Sequence, residues 1–162
     1  MADRFVVCCY GLVFDDGKIL VVKHDKSHWG NRWVLPGGKL RPGEGFQHCI
    51  ERTVEEETSC SVKAVRQIIS TMSYHDGALF GKHAILIFYL CKYLCGEPKA
   101  GGGVDAAIWA DEELFTGLAR DMDIPYQFLD AVSTLCINAA SFPELSFDFA
   151  KPESILRGMI ID

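Results

Sequence analysis

Two neighbouring stretches hold residue types that could do chemistry: Gly37-Gly38-Lys39-Leu40-Arg41-Pro42-Gly43-Glu44, and then Arg52-Thr53-Val54-Glu55-Glu56-Glu57. Each residue of a helix advances about 100°, which would set Glu56 and Glu57 side by side and Arg52 one turn before Glu56. Adjacent carboxylates repel, so a run of three is stable when solvated, paired with a cation or neutralised by a metal. Hard oxygen donors suit Mg²⁺ or Mn²⁺, ions that keep positions open for phosphate oxygens. The upstream glycines let backbone approach a ligand and offer it carbonyl or amide groups. Together these parts suit metal-assisted attack of water on a phosphoanhydride. The same glutamate run is also the composition of a solvated helix face, so the spacing of the whole set has to decide.

Such residues need elements to hold them. Phe46, Cys49, Ile50 and Val54 recur at helical spacing, with Glu51, Arg52 and Glu55 to Glu57 on the other faces, which predicts an amphipathic helix from Glu44 to about Thr58. Before it, Phe5 to Phe14 and Ile19 to Val22 are β-prone runs split by Asp15-Asp16-Gly17 and read as a hairpin. A loop from Asp25 to Arg32 leads to the short apolar piece Trp33-Val34-Leu35, and the glycines and prolines from Pro36 to Gly45 predict an exposed turn region. Beyond the helix, Ser61 to Met72, His83 to Leu94 and Ala106 to Ala110 read as strands, with a turn at Asp76-Gly77. Asp111 to Leu114 opens a helix with acids in its first turn, and another helix starts after Asp123, with Pro125 in its first turn, and runs to about Ala139. Interleaved strands and helices predict an α/β (α+β) chain with a mixed sheet packed between helices.

Composition bounds the class. The 162 residues suit one domain, and a hydrophobic fraction of 49% excludes disorder. The net charge of −6 argues against nucleic acid or membrane as a partner held by general surface charge, since both need a positive field. An anionic substrate would then be held by local cations or a bound metal. Seven cysteines, scattered through apolar runs with no preceding signal-like segment, predict buried thiols in a reducing, cytoplasmic setting. Cys91 and Cys95 lack the second ligand pair of a zinc site, and the five histidines, among them His24, His28, His75 and His83, have no zinc spacing either.

The spacing of the glycine, arginine and glutamates resembles the signature of the Nudix hydrolases: Gly, five residues, Glu, seven residues, Arg-Glu, an aliphatic residue, any residue, Glu-Glu, any residue, Gly, an aliphatic residue. Gly38, Glu44, Arg52, Val54, Glu56 and Glu57 stand at matching positions. Leu35-Pro36-Gly37-Gly38 resembles the usual lead-in, His83 to Pro98 the MutT-type strand and turn, and Trp109 with Glu113-Leu114 the strand and helix that follow. The resemblance implies an α/β/α sandwich over residues 1–140; the tail 141–162, apolar from Ile155 to Ile161, is expected to pack on the domain or at a homodimer interface. The resemblance also implies Mg²⁺ or Mn²⁺ as cofactor and a small nucleotide as substrate. Glu56 and Glu57 would be catalytic metal ligands, the Gly37 carbonyl a further ligand, and Arg52 the residue that orients the glutamates. Glu44 would brace the loop-helix junction or bind a second metal through water. Lys23, at a strand end, lies where MutT-type members place a cation near phosphate. With Trp33, Gly38, Lys39 and Asp123 it makes up the expected substrate-binding set.

The chain departs from the signature at Thr53, where Glu is expected, and at Ser59, where Gly is expected. Position 53 projects about 40° from Glu57, so the threonine removes one charge and one ligand from the cluster. Glu55 projects about 160° away from that direction and is a poor substitute. A left-handed residue at 59 would cost about 1 kcal/mol as serine. The loop from Lys99 to Asp105 lacks a glutamate, leaving Asp105 as the expected base, with Glu97 and Glu112 as alternatives. Trp29 and Trp33 have two uses at this spacing, stacking on a base or packing a core. Asp123 likewise suits base contact or a helix cap.

Three functions stay open. The first is a pyrophosphohydrolase that splits a nucleoside diphosphate linked to another moiety, foremost a nucleoside triphosphate. The second is a nucleotide-binding or sensor module weakened by Thr53. The third is a hydrolase of sugar nucleotides or ADP-ribose.

Overall fold

The computed structural model describes residues 5–24, 29–74 and 83–138. The expected turn at Asp76-Gly77, His28, His75 and the tail 141–162 lie outside them. The order is β1 (Phe5–Asp15), β2 (Lys18–Lys23), β3 (Trp33–Val34), β4 (Gly37–Lys39), α1 (Phe46–Thr58), β5 (Ser61–Tyr74), β6 (His83–Cys95), β7 (Ala106–Asp111), α2 (Glu112–Arg120) and α3 (Tyr126–Ile137).

The strands form one mixed sheet in the order β3-β2-β1-β6-β5, with β4 also on β1 and β7 also on β2. β1 runs parallel to β6 and antiparallel to β2 and β4. Strand alternation then sorts the core into two layers. Cys9, Val13, Leu20, Ile87 and Cys91 face α1, where Cys49, Ile50 and Val54 close the layer. Tyr10, Leu12, Ile19, Val21, Leu86 and Phe88 face the other way, against Phe115, Phe128, Val132 and Leu135 of α2 and α3. The result is the α/β/α sandwich with a mixed sheet that the resemblance implied.

Two expectations change. Pro36 to Gly45 is not wholly an exposed turn: Gly37 to Lys39 form a strand on β1, with Gly37 opposite Tyr10 and Gly38 opposite Cys9. A side chain at Gly37 would put its Cβ 2.1 Å from the Cys9 carbonyl oxygen, so only glycine lets this strand lie so close. Phe46, placed by its spacing on the apolar stripe of α1, is 38% exposed.

All seven cysteines are free, and of them Cys95 alone is exposed. Burial pushes the Cys8 thiol up to about 11. Among the described residues no helix is long and apolar enough to cross a membrane.

Candidate active site

α1 is held at three places. Its outer face grips β5, which borders the sheet: Gln47 donates to the Ala64 carbonyl at 3.2 Å, and Glu51 accepts from the Ala64 amide at 3.1 Å. At its start, the Arg52 guanidinium lies fork to fork on Glu44, with Nε donating at 2.6 Å and Nη2 at 2.9 Å. The Arg41 amide donates to the same carboxylate at 3.0 Å, and His48 adds a contact at 3.1 Å. The Arg52 forks and these donors hold the Glu44 carboxyl far below the usual carboxylate range. Glu44 thus ties the Arg41 amide of the loop to Arg52 of the helix.

Arg52 also reaches along the helix to Glu56, Nη1 to Oε2 at 3.3 Å, and donates to the Lys39 carbonyl at 3.3 Å. Arg41 approaches the other oxygen of Glu56 at 3.9 Å. Glu56 is thus an exposed carboxylate approached by two arginines, Arg52 and Arg41.

Glu57 differs from both. It is only 7% exposed, and its Oε2 is fully buried with no hydrogen-bond partner. Burial raises its carboxyl above the usual range, against the opposing pull of His24. The ring Nε2 of His24 stands 3.7 Å from Oε2, beyond hydrogen-bond length. Spacing along the chain assigns His24 no chemistry, and the one signal for it is its place next to Lys23 at the end of β2.

The end of β2 gathers much of the remaining set. Lys23 pairs with Trp33 on one side and Ala106 on the other, and its ammonium lies 5.7 Å above the Trp33 ring. The Trp33 amide donates to the Asp123 carbonyl at 2.8 Å, which brings Asp123 to the same edge. Asp123 and Lys39 are both exposed. Trp29 is buried at 3% exposure, edge-on to Phe128, and takes the core use of the two open to it.

Asp105 is exposed, and its amide donates to the Lys23 carbonyl at 2.8 Å. Among the described residues its side chain makes no hydrogen bond or ion pair with Glu56 or Glu57. The loop that carries it closes off the end of α1, since the Lys99 amide donates to the Thr58 carbonyl at 2.8 Å and the Gly101 amide to that of Glu57 at 3.1 Å. A Cβ at Gly101 would lie 2.7 Å from the Glu56 carbonyl oxygen, which accounts for glycine there. Of the alternative bases, Glu97 is exposed in the same connection. Glu112 lies in α2, near Cys136 of α3, on the opposite side of the sheet from α1.

The two signature departures are accommodated differently. Thr53 is buried, its hydroxyl donates back to the Cys49 carbonyl at 2.7 Å, and its methyl faces Gly38. It presents no ligand. Ser59 adopts φ 62° and ψ 9°, the left-handed helix end anticipated for that position.

Among the described residues no three His, Cys, Asp or Glu side chains converge on a common point. A divalent cation of the Mg²⁺ kind nevertheless needs only one or two protein carboxylates, with waters and substrate phosphates completing its shell. The unpartnered, buried Oε2 of Glu57 is the atom such an ion would satisfy, so the residues present fit it.

A family model described as the NUDIX domain matches residues 3–131. An ADP-ribose pyrophosphatase of Methanocaldococcus jannaschii is 31% identical over 111 residues, which cover 68% of this chain and 64% of that enzyme. The nucleoside triphosphatase NudI of Escherichia coli is 26% identical over 122 residues, 70% of this chain and 85% of that one. Among solved structures, a NUDIX hydrolase from Nitrosomonas europaea superposes with a TM-score of 0.71 at 17% identity, covering 89% of this chain and 97% of that one. A MutT protein from Methanosarcina mazei gives 0.70 at 19% identity, covering 88% and 99%. At those identities the two structures speak to the fold alone.

Proposed function

The chain belongs to the NUDIX family, and from that premise we propose that it is a metal-dependent pyrophosphohydrolase, splitting the phosphoanhydride of a nucleoside diphosphate linked to another group. A nucleoside triphosphate or related nucleotide is the leading substrate. The observation that carries this reading is the buried Glu57 oxygen left without a hydrogen-bond partner, on a helix whose neighbouring glutamates are held by arginines.

In this reading Glu57 holds Mg²⁺ or Mn²⁺, with Glu56 beside it and Gly37 and Glu44 as supports. When bound, such an ion neutralises phosphate oxygens and lowers the pKa of its water. The protein does the remaining work. Arg52 and Arg41 fix the direction of Glu56. Lys23, parked over Trp33, and Lys39 offer positive charge to the phosphates that an acidic surface would otherwise repel. The exposed part of Trp33, Asp123 and the backbone at Gly38 line the side from which a nucleoside enters. In this reading Asp105, tied through its amide to Lys23, takes the proton of the attacking water. A single domain, 1–140, suffices for this set, and its seven free thiols suit a reducing cytoplasm.

A second substrate class has its own support, since the relative from M. jannaschii is named for ADP-ribose. A third reading, nucleotide binding with little turnover, is favoured by Thr53, which presents no ligand. One experiment separates them: phosphate, pyrophosphate and nucleoside monophosphate release from a panel of nucleoside triphosphates, ADP-ribose and sugar nucleotides, with Mg²⁺ and with Mn²⁺. Metal-dependent release from at least one member is expected. Glu57→Gln should lower it by about 100-fold or more, a loss of about 2.7 kcal/mol of transition-state stabilisation. Nucleotide binding without release from any member would leave the sensor reading standing and remove the enzyme.

A further inference from the structure

His24 and Glu57 face each other as an ion-pair contact that falls short of a hydrogen bond. The 3.7 Å between Nε2 and Oε2 is too long for such a bond, and the carboxylate oxygen is buried with nothing else to satisfy it. Two atoms that each bind a shared ion at about 2.1 Å lie about 3.0 Å apart at a right angle and about 4.2 Å apart when opposite. The observed separation falls between those limits. Position 53 supplies no carboxylate, and the buried Thr53 hydroxyl turns back onto the Cys49 carbonyl. Glu56 is drawn away by Arg52 and Arg41. Among the described residues, His24 is the donor side chain that stands at the open oxygen. Its position is fixed from the chain before it, since Lys23 is paired on both sides within the sheet.

We infer that His24 is a direct ligand of the divalent cation, sharing it with Glu57 and taking the place in the donor set that Thr53 leaves empty. This rests on the metal-dependent reading above and goes beyond it in one chemical respect. An imidazole nitrogen favours Co²⁺, Ni²⁺ and Zn²⁺ over Mg²⁺, so the site is tuned toward borderline ions and away from a purely hard one.

The test uses the full chain and the metals alone. Electron spin-echo modulation of bound Mn²⁺ reads whether a ¹⁴N nucleus is directly coordinated, and calorimetric titration with Co²⁺ and Mg²⁺ reads affinity. The unmodified chain should show nitrogen coupling. His24→Gln should lose it and weaken Co²⁺ by 10-fold or more, within the range of about 10–100-fold seen when metal-site partners are removed, with less than about a twofold change for Mg²⁺. His48→Gln, which alters a histidine beside Glu44, should change neither. Absence of nitrogen coupling in the unmodified chain overturns the inference without any variant, and so does unchanged Co²⁺ affinity in His24→Gln. If Mn²⁺ binds and Glu57→Gln removes it while His24→Gln does not weaken it, the ligand assignment falls and the proposed function stands. If no divalent cation binds the unmodified chain at all, both fall.

Discussion

Glu44 and Glu57 stand near opposite ends of α1, and both side chains are largely withdrawn from water, 6% and 9% exposed. Their surroundings push them in opposite directions. Glu44 has both oxygens taken by Arg52, the Arg41 amide and His48, and its carboxyl is driven down. Glu57 keeps one buried oxygen unused, and its carboxyl is driven up. A carboxylate whose lone pairs the protein has already satisfied holds the fold together. One left buried and unsatisfied costs stability and is retained for something that binds there.

Substitutions at the two ends should break this contrast cleanly. The largest effect is expected at Glu57. Besides losing turnover, metal-free Glu57→Gln should melt higher than the parent at neutral pH, since a neutral amide avoids the burial cost of a charge. That gain exists above the raised folded value and vanishes below about pH 4.3, where the carboxyl is protonated folded or unfolded. Thermal unfolding without metal reads it, and a lower melting point at neutral pH would mean that the His24 contact outweighs the burial cost.

Glu44→Gln should do the reverse. Its folded value is depressed, so its contribution is complete above about pH 4.3 and fades as pH falls from there toward the folded value. Urea midpoints of Glu44→Gln should therefore lie below the parent from pH 8 to about 5 and converge with it on further acidification. Activity should fall by about tenfold as Arg52 loses its anchor. The smallest change sharpens the picture at the Glu57 end. Ser59 sits at φ 62°, and Ser59→Gly should raise stability by about 1 kcal/mol, readable as a higher urea midpoint with no change in KM.

The strands, the helices and the α1 stripe were legible in sequence because hydrophobic period carries them, and Cys49, Ile50 and Val54 are buried as their spacing requires. The box was legible because its residue types and distances are unusual together. Tertiary packing decided the rest. Gly37 to Lys39 read as turn because glycine has no strand propensity, yet the exposed flank of β1 recruits them. His24 escapes notice because no spacing along the chain links it to Glu57; only the end of β2 arriving over the end of α1 does. The loop from Lys99 to Asp105 reads as the place for a base, while its glycines serve the backbone of the helix.

That loop has a consequence for motion. With the Lys99 and Gly101 amides bound to the carbonyls of Thr58 and Glu57, the last turn of α1 and the β6–β7 connection cannot open separately. Their amide protons should exchange with solvent as one cooperative unit, at a rate set by the packed core and not by the fraying usual at a helix end.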